Sequence, residues 1–373
     1  MAARRGKPTM GALIDTAAVV VCCGSGGVGK TTTAAAIAVE AARRGRRVVV
    51  VTIDPAKRLA DALGLSGSLD NEPRPVDGAL LGEPELRLWA MMLDARATFD
   101  SVVRRHARDE AQVRRILDNA FYRNVASRLS GSQEYMAAEK LYELHNDERF
   151  DLVVVDTPPS REALDFLDAP QKLMNFLDHR VYRWLVAPTR GGLKVLNVAA
   201  QPIIRTIGKV IGADVLADAI TFFRAFEGIE SGFRERARSV QTLLRSRSTR
   251  YVVVASPRND TVEEALYFVD QLGREGVDVG ALVLNRLLPD FGRGSSTSAR
   301  TAARKAEREG NTDLATLHAN LADLRSMAEA EALAVQPVVA AVSVAPVVRL
   351  RQRPEDVHDL AAILSLADEL IAH

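Results

Sequence analysis

Gly24-Ser25-Gly26-Gly27-Val28-Gly29-Lys30-Thr31 follows closely on the apolar run Ala17-Ala18-Val19-Val20-Val21. The octet matches G-x-x-x-x-G-K-[ST], a phosphate-binding loop set between a strand and a helix. A nucleotide phosphate chain needs several closely spaced donors. Glycines supply them, because without a Cβ successive N–H groups can converge on one point. A helix expected from Lys30 to about Arg44 adds the positive end of its dipole. In this reading Gly24 to Thr32 hold the phosphates, Lys30 reaches the β- and γ-phosphates, and the Thr31 hydroxyl ligates Mg²⁺. The octet therefore predicts binding of a nucleoside triphosphate.

Working outward, short β-branched runs alternate with helical stretches, which is the pattern of a mainly parallel sheet covered on both faces. Strands are expected at Ala17–Cys23, Arg47–Ile53, Leu86–Leu93, Leu152–Asp156, Tyr251–Ala255, Gly280–Asn285 and Pro337–Val344. Helices are expected at Lys30–Arg44, Lys57–Leu63, Ser132–Leu144, Val262–Glu275 and Glu355–Ile371. The fold class is α/β, doubly wound, with about seven to eight strands. Residues 1–16 read as a flexible tail and 17–373 as one nucleotide-binding domain. Between Pro159 and Arg250 no strand is recognisable, a stretch too long for a simple connection. It reads either as a helical insertion over 160–248 or as helices that cover the sheet. Asp290 to Ser298 reads as a mobile loop, and a charged helix is expected over much of Arg300–Ala330.

The chain has 373 residues, 47% hydrophobic and 26% charged, with a formal charge of +1. This is the profile of a globular protein with a large core, without the field expected of a nucleic-acid or anionic-membrane binder. Its two cysteines, Cys22 and Cys23, are neighbours on one strand, so their side chains point to opposite faces and cannot share a metal. That usage fits a reducing, cytoplasmic setting. The N-terminus lacks the apolar core of a signal peptide, and no apolar run is long enough to span a bilayer. Contact with a membrane is expected only indirectly, if at all.

Three more strand ends carry polar groups. Asp54, in Thr52-Ile53-Asp54-Pro55-Ala56, stands at a carboxyl edge of the sheet. It either orients water toward the γ-phosphate and holds Mg²⁺ through water, or caps the helix that Pro55 begins. Leu152-Val153-Val154-Val155-Asp156 ends in an acid placed to serve Mg²⁺. Asn285, in Leu282-Val283-Leu284-Asn285-Arg286, either meets a base edge through its amide or forms a turn.

Together these segments resemble the arsenite-pump (ArsA) and tail-anchored-protein-targeting ATPases, of the deviant-Walker-A class of dimerising P-loop ATPases. The resemblance runs from Ala17 to about Ala367 and is strongest to the paired ArsA-like ATPases of actinobacteria. It implies ATP and Mg²⁺ as ligands, Asp54 as the residue positioning the attacking water, and Asp156 beside Mg²⁺. It also implies base contacts from Asn285 and Arg286, with the segment around Pro346-Val347 closing over the base. The partner implied is an identical chain or a paralogous ATPase, with a protein client engaged through the helical insertion.

The family usually carries a lysine directly after the first P-loop glycine, where this chain has Ser25. In the family that lysine crosses the dimer interface to the partner's nucleotide. A hydroxyl cannot supply a cation, so the resemblance implies either slow hydrolysis by a homodimer or a paralogue that supplies the lysine. Lys57 and Arg58 are candidate substitutes. The expected function is thus an ATP-hydrolysing dimeric switch. The alternatives are a weakly hydrolytic or non-hydrolytic ATP-binding subunit of a hetero-oligomer and, less compatible with so large a helical region, a small-molecule kinase. The zinc clasp of some relatives needs a C-x-x-C that is missing here, and a methionine-rich groove is not supported, since the insertion contains only Met174.

Overall fold

The structure, a computed structural model, describes residues 9–53, 58–81, 85–124, 132–158, 165–179, 213–342, 344–357 and 359–372. The chain divides into two compact units, one comprising Met1–Met92, Glu148–Leu164 and Arg247–His373, the other Leu93–Asp147 and Asp165–Ser246.

The first unit is built on β1 (Val19–Cys23), β2 (Val48–Thr52), β3 (Arg74–Pro75), β4 (Leu88–Met92), β5 (Leu152–Asp156), β6 (Thr249–Ala255), β7 (Val279–Leu287) and β8 (Val347–Arg351). They form one eight-stranded sheet in the order β3-β4-β2-β5-β1-β6-β7-β8. Every neighbouring pair is parallel except β3 with β4. The valine runs explain the centre of the sheet. β-Branched side chains pack well on a pleated surface, and β1, β2 and β5 are buried along their whole length. Register places Val19 opposite Val153 on one side and Thr249 on the other, so β1 lies at the middle. Val20, Cys22, Val48, Val50, Val154, Val252 and Val254 face one helical layer in a common core. That layer contains α1 (Met10–Thr16), α2 (Lys30–Arg43) and the helix Leu360–Ile371. The alanines of α2 let its backbone lie close to the sheet, and they are buried on nearly every side.

Several expectations need correction. Met10–Thr16 is a helix rather than part of a tail, because Thr9 caps it and Met10, Leu13 and Ile14 bury one face at helical spacing. The strand expected at Pro337–Val344 is instead a helix over Gln336–Ala341 followed by β8 from Val347. A short apolar run fits helix and strand alike, and Pro337 sits in the first helical turn, where its missing N–H costs nothing. The last helix begins at Leu360, capped by Asp359, and Arg353 to Val357 precede it as irregular chain. The single charged helix is a hairpin of Ser296–Arg308 and Thr312–Ala334, turned at Gly310 with φ +75°. The loop expected to be mobile is held: the Arg325 guanidinium donates to the carbonyls of Phe291 (2.9 Å) and Arg293 (2.8 Å), and Ser295 caps the next helix.

The second unit contains helices and no strand among its described residues. It takes in Leu93–Asp147 as well as Asp165–Ser246, a wider extent than an insertion over 160–248. Its core is aromatic, with Tyr122, Phe222, Phe226 and Phe233 buried together beside Phe99. Glu139 is wholly buried there and accepts from Arg236 Nε at 2.7 Å, with Arg105 at 3.8 Å. Burial raises the Glu139 carboxyl above its ordinary value, against the pull of Arg236. Among the described residues, no helix is long and apolar enough to cross a membrane.

Candidate functional site

The loop after β1 lies where open α/β sheets bind ligands, at the carboxyl edge beside a reversal of strand order. Two of its glycines are required by contact. A Cβ on Gly24 (φ +152°) would meet the Val254 carbonyl oxygen at 2.2 Å, and one on Gly29 (φ +95°) would meet Asn285 Nδ2 at 2.3 Å. Gly29 is also the N-cap of α2 and offers no capping side chain, so the first-turn N–H groups are not taken by a cap. These donors and the helix dipole suit an anion.

Lys30 is buried, and its Nζ donates to the Ser25 carbonyl at 2.8 Å, spanning the mouth of the loop. The Thr31 hydroxyl donates to Asp156 Oδ2 at 2.8 Å, and Thr52 donates to the same oxygen at 3.1 Å. Asp156 is 1% exposed at the end of β5. Thr157, the next residue, ties β5 to β1 through its hydroxyl on the Cys22 carbonyl at 2.7 Å. The Thr31–Asp156 pair is a hard-oxygen donor set of the kind Mg²⁺ takes, since that ion draws few ligands from protein and the rest from phosphate and water. Among the described residues, no group of three His, Cys, Asp or Glu forms a protein-only metal cage.

The cysteines take no part in this chemistry. Burial pushes the Cys23 thiol up to about 12, and burial together with the nearby Asp156 raises that of Cys22. Both remain protonated at neutral pH. The Ser25 hydroxyl is buried and has no hydrogen-bond partner among the described residues.

A cavity of about 710 Å³ is lined by Gly27, Gly29, Lys30, Thr31 and Thr32 of the loop, by Thr157, and by Asn285 and Arg286. Its remaining wall includes Asp61 and Arg351, Gln352, Arg353, Glu355, Asp356 and Val357. Pro346 and Val347 are not part of this wall. Val347 opens β8 opposite Leu282, and the chain reaches the cavity only at Arg351, where β8 ends. Sequence reasoning missed the segment from Arg351 to Val357 because it set the last strand one element too early. It also gave no role to Thr52, which opens the segment quoted around Asp54, or to Thr157, which follows Asp156. Asp54 and Lys57 lie outside the described residues, as do Pro159 and the side chain of Arg58.

The family model of the ArsA ATPases, described as "Anion-transporting ATPase", matches residues 17–313. No match was found among curated proteins.

Proposed function

The chain belongs to the ArsA family of anion-transporting ATPases, and on that premise we propose that it is a dimerising, ATP-driven switch that works on a protein client or partner through its helical unit. The observation that carries the ATP reading is the placement of Lys30 and Thr31 in the wall of one cavity, with Asp156 hydrogen-bonded to Thr31. The triphosphate would lie along Gly26 to Thr32, accepting from loop N–H groups while Lys30 moves from the Ser25 carbonyl to a phosphate oxygen. Thr31 and Asp156 would hold Mg²⁺, which when bound neutralises charge on the β- and γ-phosphates. Asp54 would orient the attacking water, the role its place after β2 and the family resemblance assign it. The base would lie between Asn285–Arg286 and the wall from Arg351 to Val357.

The Ser25 hydroxyl, buried and without a hydrogen-bond partner among the described residues, favours a second reading for the rate. No cation stands at this position, so a pair of identical chains would hydrolyse ATP slowly, and a paralogue could supply the missing lysine. The test is single-turnover hydrolysis of ATP·Mg²⁺ by the purified chain and by Ser25→Lys. Slow turnover that rises at least about tenfold in the variant supports the reading, because cations supplied in trans can accelerate phosphoryl transfer strongly. Equal and fast rates overturn it. Titration with a paralogous chain from the same cell then separates a homodimer from a mixed one.

A further inference from the structure

β7 is irregular near its carboxyl end. Its register with β8 shifts between Leu284 and Leu287, and within that shift Arg286 adopts φ +62°, the left-handed region that non-glycine residues rarely occupy. The bulge turns Asn285 toward the P-loop. Its Nδ2 donates to the Val28 carbonyl at 2.8 Å, and its Oδ1 accepts from the Arg286 N–H at 2.9 Å. The second bond fixes the amide, so its donor face is held on the loop. Gly29 lacks the Cβ that would occupy this place.

We infer that Asn285 is a positioning residue for phosphate binding: it clamps the Val28–Gly29 peptide of the P-loop and so aims the Gly29 N–H. In a trans peptide the C=O and the following N–H point in opposite directions. Anchoring the Val28 carbonyl on Asn285 therefore sets the direction of the Gly29 donor, one of those that face an incoming phosphate. Contact with a base, the role the family resemblance suggests for Asn285, does not require this geometry. The bulge, the left-handed Arg286 and the bare Gly29 all serve it.

The inference rests on the reading of this loop as a triphosphate site, and the test keeps the two apart. Calorimetric affinities for ATP, inorganic tripolyphosphate and adenosine are compared between the unaltered chain and Asn285→Ala. A clamp predicts that ATP and tripolyphosphate weaken by the same factor, about fivefold for one hydrogen bond of ordinary net strength, whereas a base contact alone would weaken ATP and adenosine and spare tripolyphosphate. Asn285→Asp keeps the acceptor for Arg286 but sets a carboxylate against the Val28 carbonyl, and it should weaken tripolyphosphate at least as much. Hydrogen exchange of the P-loop amides, measured without nucleotide, should quicken in both variants while the melting temperature of the protein stays put. An unchanged tripolyphosphate affinity with unchanged exchange overturns the clamp, and weakening of ATP and adenosine would then assign Asn285 to the base. If neither ATP nor tripolyphosphate binds the unaltered chain, the nucleotide reading fails, and the exchange measurement alone decides the clamp.

Discussion

In the sheet unit, buried Lys30 donates to a main-chain carbonyl and buried Asp156 accepts from two threonine hydroxyls. In the helical unit, buried Glu139 faces the guanidinium groups of Arg236 and Arg105. Both arrangements keep charge out of water. The carbonyl and hydroxyl contacts of the first can be exchanged for a phosphate oxygen or a cation at modest cost. The Arg236 guanidinium of the second would lose its buried carboxylate if Glu139 went elsewhere, although Arg105 would keep Glu143 at 3.1 Å. Burial alone thus does not mark a site; what marks it is burial beside partners that a ligand can replace.

Replacing Lys30 with Ala should produce the largest effect. ATP turnover should fall on the order of 10²–10³-fold, the scale for loss of one charged or oriented donor in a closed site, while thermal unfolding hardly moves. A large loss of stability instead would make Lys30 a structural charge like Glu139 and erase the contrast. Glu139→Ala should do the reverse. Breaking a buried pair costs about 3 kcal/mol, visible in chemical denaturation, while ATP affinity stays within about twofold. A fall in affinity without a fall in stability would place the buried pair on the path between client and nucleotide.

The smallest effect concerns pH. The Asp151 carboxyl, hydrogen-bonded by Arg47, is held down at about 2 against an ordinary 3.8. Below pH 4 the unfolded chain takes up this proton first, so the stabilisation is complete above about pH 4 and is lost as the pH falls toward 2. More than a third of each side chain is exposed, so water screens the pair, and it is worth less than about 1 kcal/mol. Asp151→Asn should flatten the acid limb of the stability curve by that amount. Glu139, shifted the other way, has the opposite slope: the native state holds its proton longer, so its contribution falls as the pH rises past the ordinary carboxylate range.

The sheet unit was far more legible than the helical one, and for a physical reason. Leu152–Asp156 can be read residue for residue, because a strand buried on both faces shows as an unbroken apolar run closed by a polar residue. Val338 to Val348 is equally apolar, but it divides into a helix and a strand, and no pattern in the run separates them. The P-loop residues are where the motif places them, because that motif is local. The wall from Arg351 to Val357 comes from chain some 300 residues away, a separation only the fold closes. Leu93–Asp147 was missed as part of the helical unit because its helices, set between two strands, read like an ordinary crossover.

The central place of β1 also governs when the site can exist. β1 precedes both of its hydrogen-bonding neighbours in the chain, β5 and β6, the latter ending at Ala255. At ordinary rates of synthesis its valines wait roughly ten to fifty seconds for the second neighbour. During that time the helical unit's own segments pass through the ribosome. The P-loop, translated before the other segments of its site, is therefore among the last of them to be assembled, and the chain cannot hold a nucleotide in its finished cradle until Asn285 and the wall from Arg351 to Val357 have also been made.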